Sequence, residues 1–136
     1  MAMNTSPVFP HGVNNGQLDI ENGDGTSYQT VVTGAADGTR VKLISISSDD
    51  TSDRYVKFSR KLSGGASCVI GVVLVPDGSG TNGTDQAVDG LNQTNMPWLR
   101  EDRALVLASG EVLEAAVLVA VTAAKTVQIF VEAEDY

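Results

Sequence analysis

A single histidine, His11, and a single cysteine, Cys68, are all that this sequence offers toward nucleophilic catalysis at neutral pH. A Ser-His-Asp or Cys-His site needs a base held rigidly beside its nucleophile. His11 instead follows a stretch of Pro, Asn and Ser that has no periodic apolar residues. There is no Gly-x-Ser-x-Gly elbow, no Gly-rich phosphate loop ending in Lys-Ser/Thr and no Cys-x-x-Cys pair, so the common hydrolase, nucleotide and zinc chemistries lack their residues. Carboxylates are plentiful. Asp49, Asp50, Asp53, Asp85, Asp89, Glu101 and Asp102 all fall in loop-like segments, and two of them flanking a cleft would suit glycoside hydrolysis. With three Phe, three Tyr and one Trp in the chain, however, the aromatic platforms that hold sugars are scarce. Asp19-x-Glu21-x-Gly23-Asp24-Gly25 and Asp49-Asp50-x-x-Asp53 gather oxygen ligands, but neither has the calcium-loop spacing, and ordinary turn chemistry accounts for both. The reading is a protein that is not an enzyme and uses no metal and no cofactor.

The elements that must carry any function are short. At 136 residues, 42% hydrophobic and 19% charged, the chain suits one folded domain with its own core. Residues 1–25 hold Pro7, Pro10 and several Asn and Gly and read as an irregular N-terminal arm. Residues 26–136 read as a β-sandwich domain, with strands at 27–33, 39–48, 54–61, 67–75, 103–108, 112–121 and 126–133 separated by Gly, Asp, Asn and Ser clusters. The segment 112–121 is apolar nearly all round if helical, but as a strand it puts Leu113, Ala115, Val117, Val119 and Val121 on one face. The strand reading is preferred. In the last strand, Val127, Ile129, Val131 and Ala133 share one face, opposite Gln128, Glu132 and Glu134. The run from Cys68 to Val75 is apolar on both faces, which predicts a strand covered by the core on one side and by the arm, a loop or another subunit on the other. Within it Cys68 reads as a small buried hydrophobe.

Nine Lys+Arg against 17 Asp+Glu give a formal charge of −8, a field that repels phosphate backbones and anionic lipid. Nucleic acid and membrane are therefore not expected as partners. The first residues lack a basic segment and an apolar core of the signal-peptide type, and no apolar run approaches the roughly 18 residues that span a bilayer. Synthesis in a cytoplasm, without export, is expected. Protein partners remain, and six residues are candidates to meet them. Val8, Phe9 and Pro10 form the apolar knot of the arm. Met96 and Trp98 sit in the long irregular stretch between residues 76 and 103, where loops of this length tend to be functional. Phe130 falls on the polar face of a strand whose other face is already apolar, which suggests a contact outside the domain's own core.

The succession Tyr28-Gln29-Thr30-Val31-Val32-Thr33-Gly34-Ala35-Ala36-Asp37-Gly38, then Ile44-Ser45-Ile46-Ser47-Ser48-Asp49-Asp50-Thr51, Ile70-Gly71-Val72-Val73-Leu74-Val75-Pro76, Leu91-Asn92 and Val121-Thr122-Ala123-Ala124-Lys125-Thr126-Val127, resembles the head-decoration, or capsid cement, proteins of tailed bacteriophages. The resemblance spans residues 26–136. It implies a jelly-roll-like β-sandwich that oligomerises as trimers on the major capsid protein lattice, at the outer surface of the virion, and stiffens the shell. A receptor- or carbohydrate-binding module of a fibre or spike is the alternative, since jelly rolls serve both roles. A tail-tube or head-completion protein is a third.

Overall fold

Alternation of apolar and polar residues, broken by glycine- and aspartate-rich turns, folds this chain into strands and almost nothing else. The computed structural model describes residues 12–99 and 104–136. Its strands are β1 (Gly12–Val13), β2 (Gly16–Glu21), β3 (Gln29–Thr33), β4 (Thr39–Ser48), β5 (Arg54–Lys61), β6 (Ser67–Val75), β7 (Val88–Asp89), β8 (Leu105–Leu107), β9 (Val112–Val117) and β10 (Thr126–Asp135), with a single 3-10 turn at Asn22–Asp24.

Two antiparallel sheets pack face to face. In the first, β10 lies between β4 and the successive short strands β1 and β2, and β4 carries β7 and β8 on its other side; the second runs β3-β9-β5-β6. The pairs β2/β10, β3/β9, β4/β8 and β5/β6 nest symmetrically about the β5–β6 turn. The chain is thus one long hairpin, rolled so that successive rungs alternate between the sheets, which is the jelly-roll arrangement expected from the sequence. Val41, Ile44 and Ile46 of β4 meet Val127, Ile129 and Val131 of β10 on the inner face of one sheet. Val56 and Phe58 of β5 and Leu113, Ala115 and Val117 of β9 line the other, all of them buried. Opposite Glu132 and Ala133 of β10, Lys42 of β4 is left over as a bulge, so that Val41 points inward although Ile44 lies three residues on.

Three expectations change. Residues 12–21, assigned to the irregular arm, form β1 and β2 and pair with β10. Leu18 and Ile20 do alternate with Gln17, Asp19 and Glu21, but the surrounding Gly and Asn obscure so short a pattern. The strand expected over 112–121 stops at Val117, and Leu118 and Val119 turn outward while Val121 re-enters the core. Cys68 is exposed rather than buried, because β6 is the outermost strand of its sheet and Ile70 bulges from that strand two residues away, opposite Phe58 and Ser59.

Candidate interaction surface

Of the six residues expected to meet a partner, Phe130 lies where its alternation placed it, on the outer face of the first sheet and 41% exposed. Its cross-strand neighbours are Gln17 of β2 and Ser45 of β4. Small polar side chains thus flank the ring and leave a shallow hollow beside it. Trp98 is 45% exposed, and its indole Nε1 donates to the Ile70 carbonyl of β6 at 2.8 Å. Met96 does not fit the expectation, for it is wholly buried in the chain's own core. Its unbranched side chain lies against Gly71, where an added Cβ would stand 3.1 Å from its Cγ, so no partner can touch it directly. Val8, Phe9 and Pro10 lie outside the described residues.

A contiguous row of exposed apolar side chains lies elsewhere, on the outer face of the second sheet. The register aligns Tyr55 with Leu74 and Lys57 with Val72, while the Leu118 amide donates to the Tyr55 carbonyl. Leu118, Tyr55 and Leu74 therefore form one row across the sheet, and Val72 and Val69 continue it down β6. These five side chains are between 41% and 52% exposed. The rest of this face is closed from within the chain. The Lys57 ammonium sits 4.8 Å from the centroid of the Tyr28 ring, the Ser59 hydroxyl donates to the Tyr28 hydroxyl at 2.6 Å, and the Ser67 hydroxyl donates to the Glu114 carboxylate at 2.7 Å. What remains is an apolar strip along the outermost strand with Lys57 at its flank. The two-faced apolarity of β6 was visible in the sequence, but Tyr55 and Leu118 join the strip only through cross-strand register, which no local pattern carries.

The carboxylates weighed for catalysis or calcium are engaged as structural acceptors. The Asp50 carboxylate accepts from Arg54 Nε at 2.8 Å, from the Thr122 hydroxyl at 2.7 Å and from the amides of Thr122 and Ser52. Burial alone would raise its pKa, but these donors, the Arg54 guanidinium foremost, hold it well below the usual carboxylate range. Asp49 accepts from the Thr126 amide, Asp53 from that of Asp77, Asp89 from that of Leu91, and Asp24 from that of Glu21. The Asp89 and Asp24 bonds are local turn chemistry of the kind that Asp supplies, whereas those of Asp49 and Asp53 tie together segments far apart in sequence. Glu101, Asp102 and His11 lie outside the described residues. Among the described residues, no group of three His, Cys, Asp or Glu side chains is placed to hold a metal ion.

Glu111 makes a second buried pair. Its carboxylate takes Arg60 Nε at 3.1 Å and Arg60 Nη2 at 2.7 Å, and also the Ala108 amide. Burial acts to raise its pKa, yet the forked guanidinium and the amide together lower it. Glu111→Gln is expected to cost about 2 kcal/mol at pH 7, the scale of a hydrogen bond to a charged group. A carboxyl with a depressed folded pKa stabilises above its unfolded value of 4.5 and loses that contribution as pH falls. The gap between variant and native protein should therefore narrow by pH 3, as read from urea unfolding at both pH values.

Neither a protein-family model nor a curated protein matches the sequence. Among solved structures, a chain of the cyanophage Pam1 capsid asymmetric unit is similar at 17% sequence identity and a TM-score of 0.44, over 99% of this chain and 94% of that one.

Proposed function

We propose that this protein is a structural component of a bacteriophage virion that decorates and stabilises an icosahedral capsid, oligomerising as trimers on the major capsid protein lattice. The observation that carries the reading is the strip of Tyr55, Val69, Val72, Leu74 and Leu118. A stable isolated domain has no use for five half-exposed apolar side chains in one row, and patches of this kind mark contacts with other proteins. A formal charge of −8 keeps the remaining surface soluble. The sequence likeness to head-decoration proteins over residues 26–136 supplies the kind of container.

In this reading the strip joins copies to one another. Phe130, Trp98 and the Val8-Phe9-Pro10 knot are the contacts with neighbouring subunits or the shell, and the work is done without catalysis or cofactor. Many such contacts made at once turn weak individual binding into firm retention. The site of action is the outer surface of the capsid, reached after synthesis in the host cytoplasm. The alternative, a carbohydrate-reading fibre or spike module, is favoured less by the geometry. Its requirement is a concave acidic site with an aromatic platform, whereas the exposed tryptophan here is tied to a strand edge.

The test is co-sedimentation with capsids that lack a decoration protein. Full-length protein is expected to bind at saturating, lattice-defined stoichiometry and to raise the temperature at which the shells break open. Deleting residues 1–11 is expected to weaken retention at least tenfold while leaving the protein's own melting temperature within about 2 °C, since every described strand of the sandwich begins at Gly12 or later. Absence of binding by the full-length protein would overturn the proposal.

A further inference from the structure

The outermost strand β6 is nine residues long, rich in Val and Ile, and carries no charge and no proline. Such a strand is a ready template for a second chain, and its composition is that of segments that stack into extended β assemblies. The middle of its open side is not bare. Trp98 Nε1 donates to the Ile70 carbonyl at 2.8 Å, and the turn that carries it packs beneath the inner face of the strand, where a Cβ on Gly71 would stand 3.2 Å from the Asn95 carbonyl oxygen. The segment is held there from both ends. Met96 is sunk in the core, the Met96 amide donates to the Asn92 carbonyl at 2.8 Å, the Asn95 amide donates to the Asn92 side chain at 2.9 Å, and Gln93 Nε2 donates to the Leu99 carbonyl at 2.9 Å.

We propose that the turn formed by residues 92–99 is an autoinhibitory guard on the edge of β6. Trp98 occupies the Ile70 carbonyl, and Met96, sunk in the core against Gly71, anchors the turn that holds it there, so a second copy of this chain is hindered from extending the sheet by adding its own β6. This explains why a half-exposed indole spends its one donor on a strand edge instead of joining the core. It also separates two modes of self-contact. Association through the apolar strip on the outer face is left open. Edge-to-edge pairing through β6, the kind of contact that templates aggregation, is opposed. The guard goes beyond the decoration reading and stands or falls independently of it.

The experiment compares native protein with Trp98→Phe, which keeps the ring and removes the donor, and Trp98→Ala. Light scattering and thioflavin fluorescence are followed at equal concentration, with and without Cys68→Lys, which sets a charge on the same strand. Thioflavin-positive assembly is expected to accelerate at least tenfold in Trp98→Phe and further in Trp98→Ala. The added lysine should return the rate to the native level, because a charged edge strand resists pairing. Rates unchanged by either Trp98 substitution would overturn the guard. So would assembly that the lysine leaves as fast as before, since that would come from general unfolding rather than from the freed edge. Loss of capsid binding alongside the faster thioflavin-positive assembly would bear on the decoration reading and leave the guard standing.

Discussion

Asp50→Ala is expected to lower the stability of the isolated protein by about 3–5 kcal/mol at pH 7, the cost of removing one member of a buried ion pair. For a domain of this size that corresponds to a fall of roughly 10–15 °C in melting temperature. The size of the effect follows from what converges on this one carboxylate. Its side chain is fully buried, and Arg54, its partner, is itself only 11% exposed, so the variant strands a guanidinium in the protein. Arg54 Nη2 also donates to the Thr122 hydroxyl, and the Asp50 carbonyl accepts from the Gly78 amide. The β4–β5 turn, the loop after β6 and the loop before β10 are thereby tied at one point. Asp50→Asn keeps the volume and some of the hydrogen bonds, and so should cost less.

The pH profile distinguishes charge from shape at this node. The folded pKa of Asp50 is held below its unfolded value of 3.8, so its contribution is complete well above that value and disappears as pH falls through the folded one. Native protein should therefore lose stability progressively below about pH 5, whereas Asp50→Asn, lacking that titration, should show a shallower decline. The two denaturation midpoints should converge toward pH 2. Parallel curves down to pH 2 would mean that the carboxylate's charge is not what ties the loops together.

The strands that were legible in the sequence are those whose information is local. In β5, and in β4 from Ile44 onward, the apolar residues alternate, and Gly34 to Gly38, Asp49 to Asp53 and Ser63 to Gly65 punctuate the two strands, so their bounds agree with the structure to the residue. β2 was missed because only Leu18 and Ile20 carry its pattern, and β7 because two residues carry no pattern at all. The position of a strand within its sheet is a different kind of fact. Whether β6 is central or outermost depends on which segments pair with it, and that misled the reading of Cys68, whose apolar neighbours suggest burial. The interaction surface was half legible for the same reason. Phe130 stood out because its own strand declares two faces. The row of Leu118, Tyr55 and Leu74 is assembled from three separate strands and turns, and Tyr55 by itself resembles any surface tyrosine.

If copies join through the strip as proposed, replacing Val72 and Leu74 together by Glu is expected to leave the protein monomeric while the folded domain survives. Both residues are exposed in the isolated chain, and surface substitutions of this kind usually shift stability by no more than about 0.5 kcal/mol each. Val72 stands directly across from Lys57, so a glutamate there gains a cross-strand partner of opposite charge. Association has no such compensation, because both carboxylates must leave water where an apolar contact is lost. If each site contributes about 2 kcal/mol, as buried interface anchors do, the pair weakens association on the order of a thousandfold. Light scattering coupled to size-exclusion chromatography should then report the monomer mass at concentrations where native protein is oligomeric. Phe130→Ser, on the opposite sheet, should leave that mass unchanged and act only on capsid binding. An oligomer that persists in the double variant but dissociates in Phe130→Ser would transfer the self-association surface from the second sheet to the first.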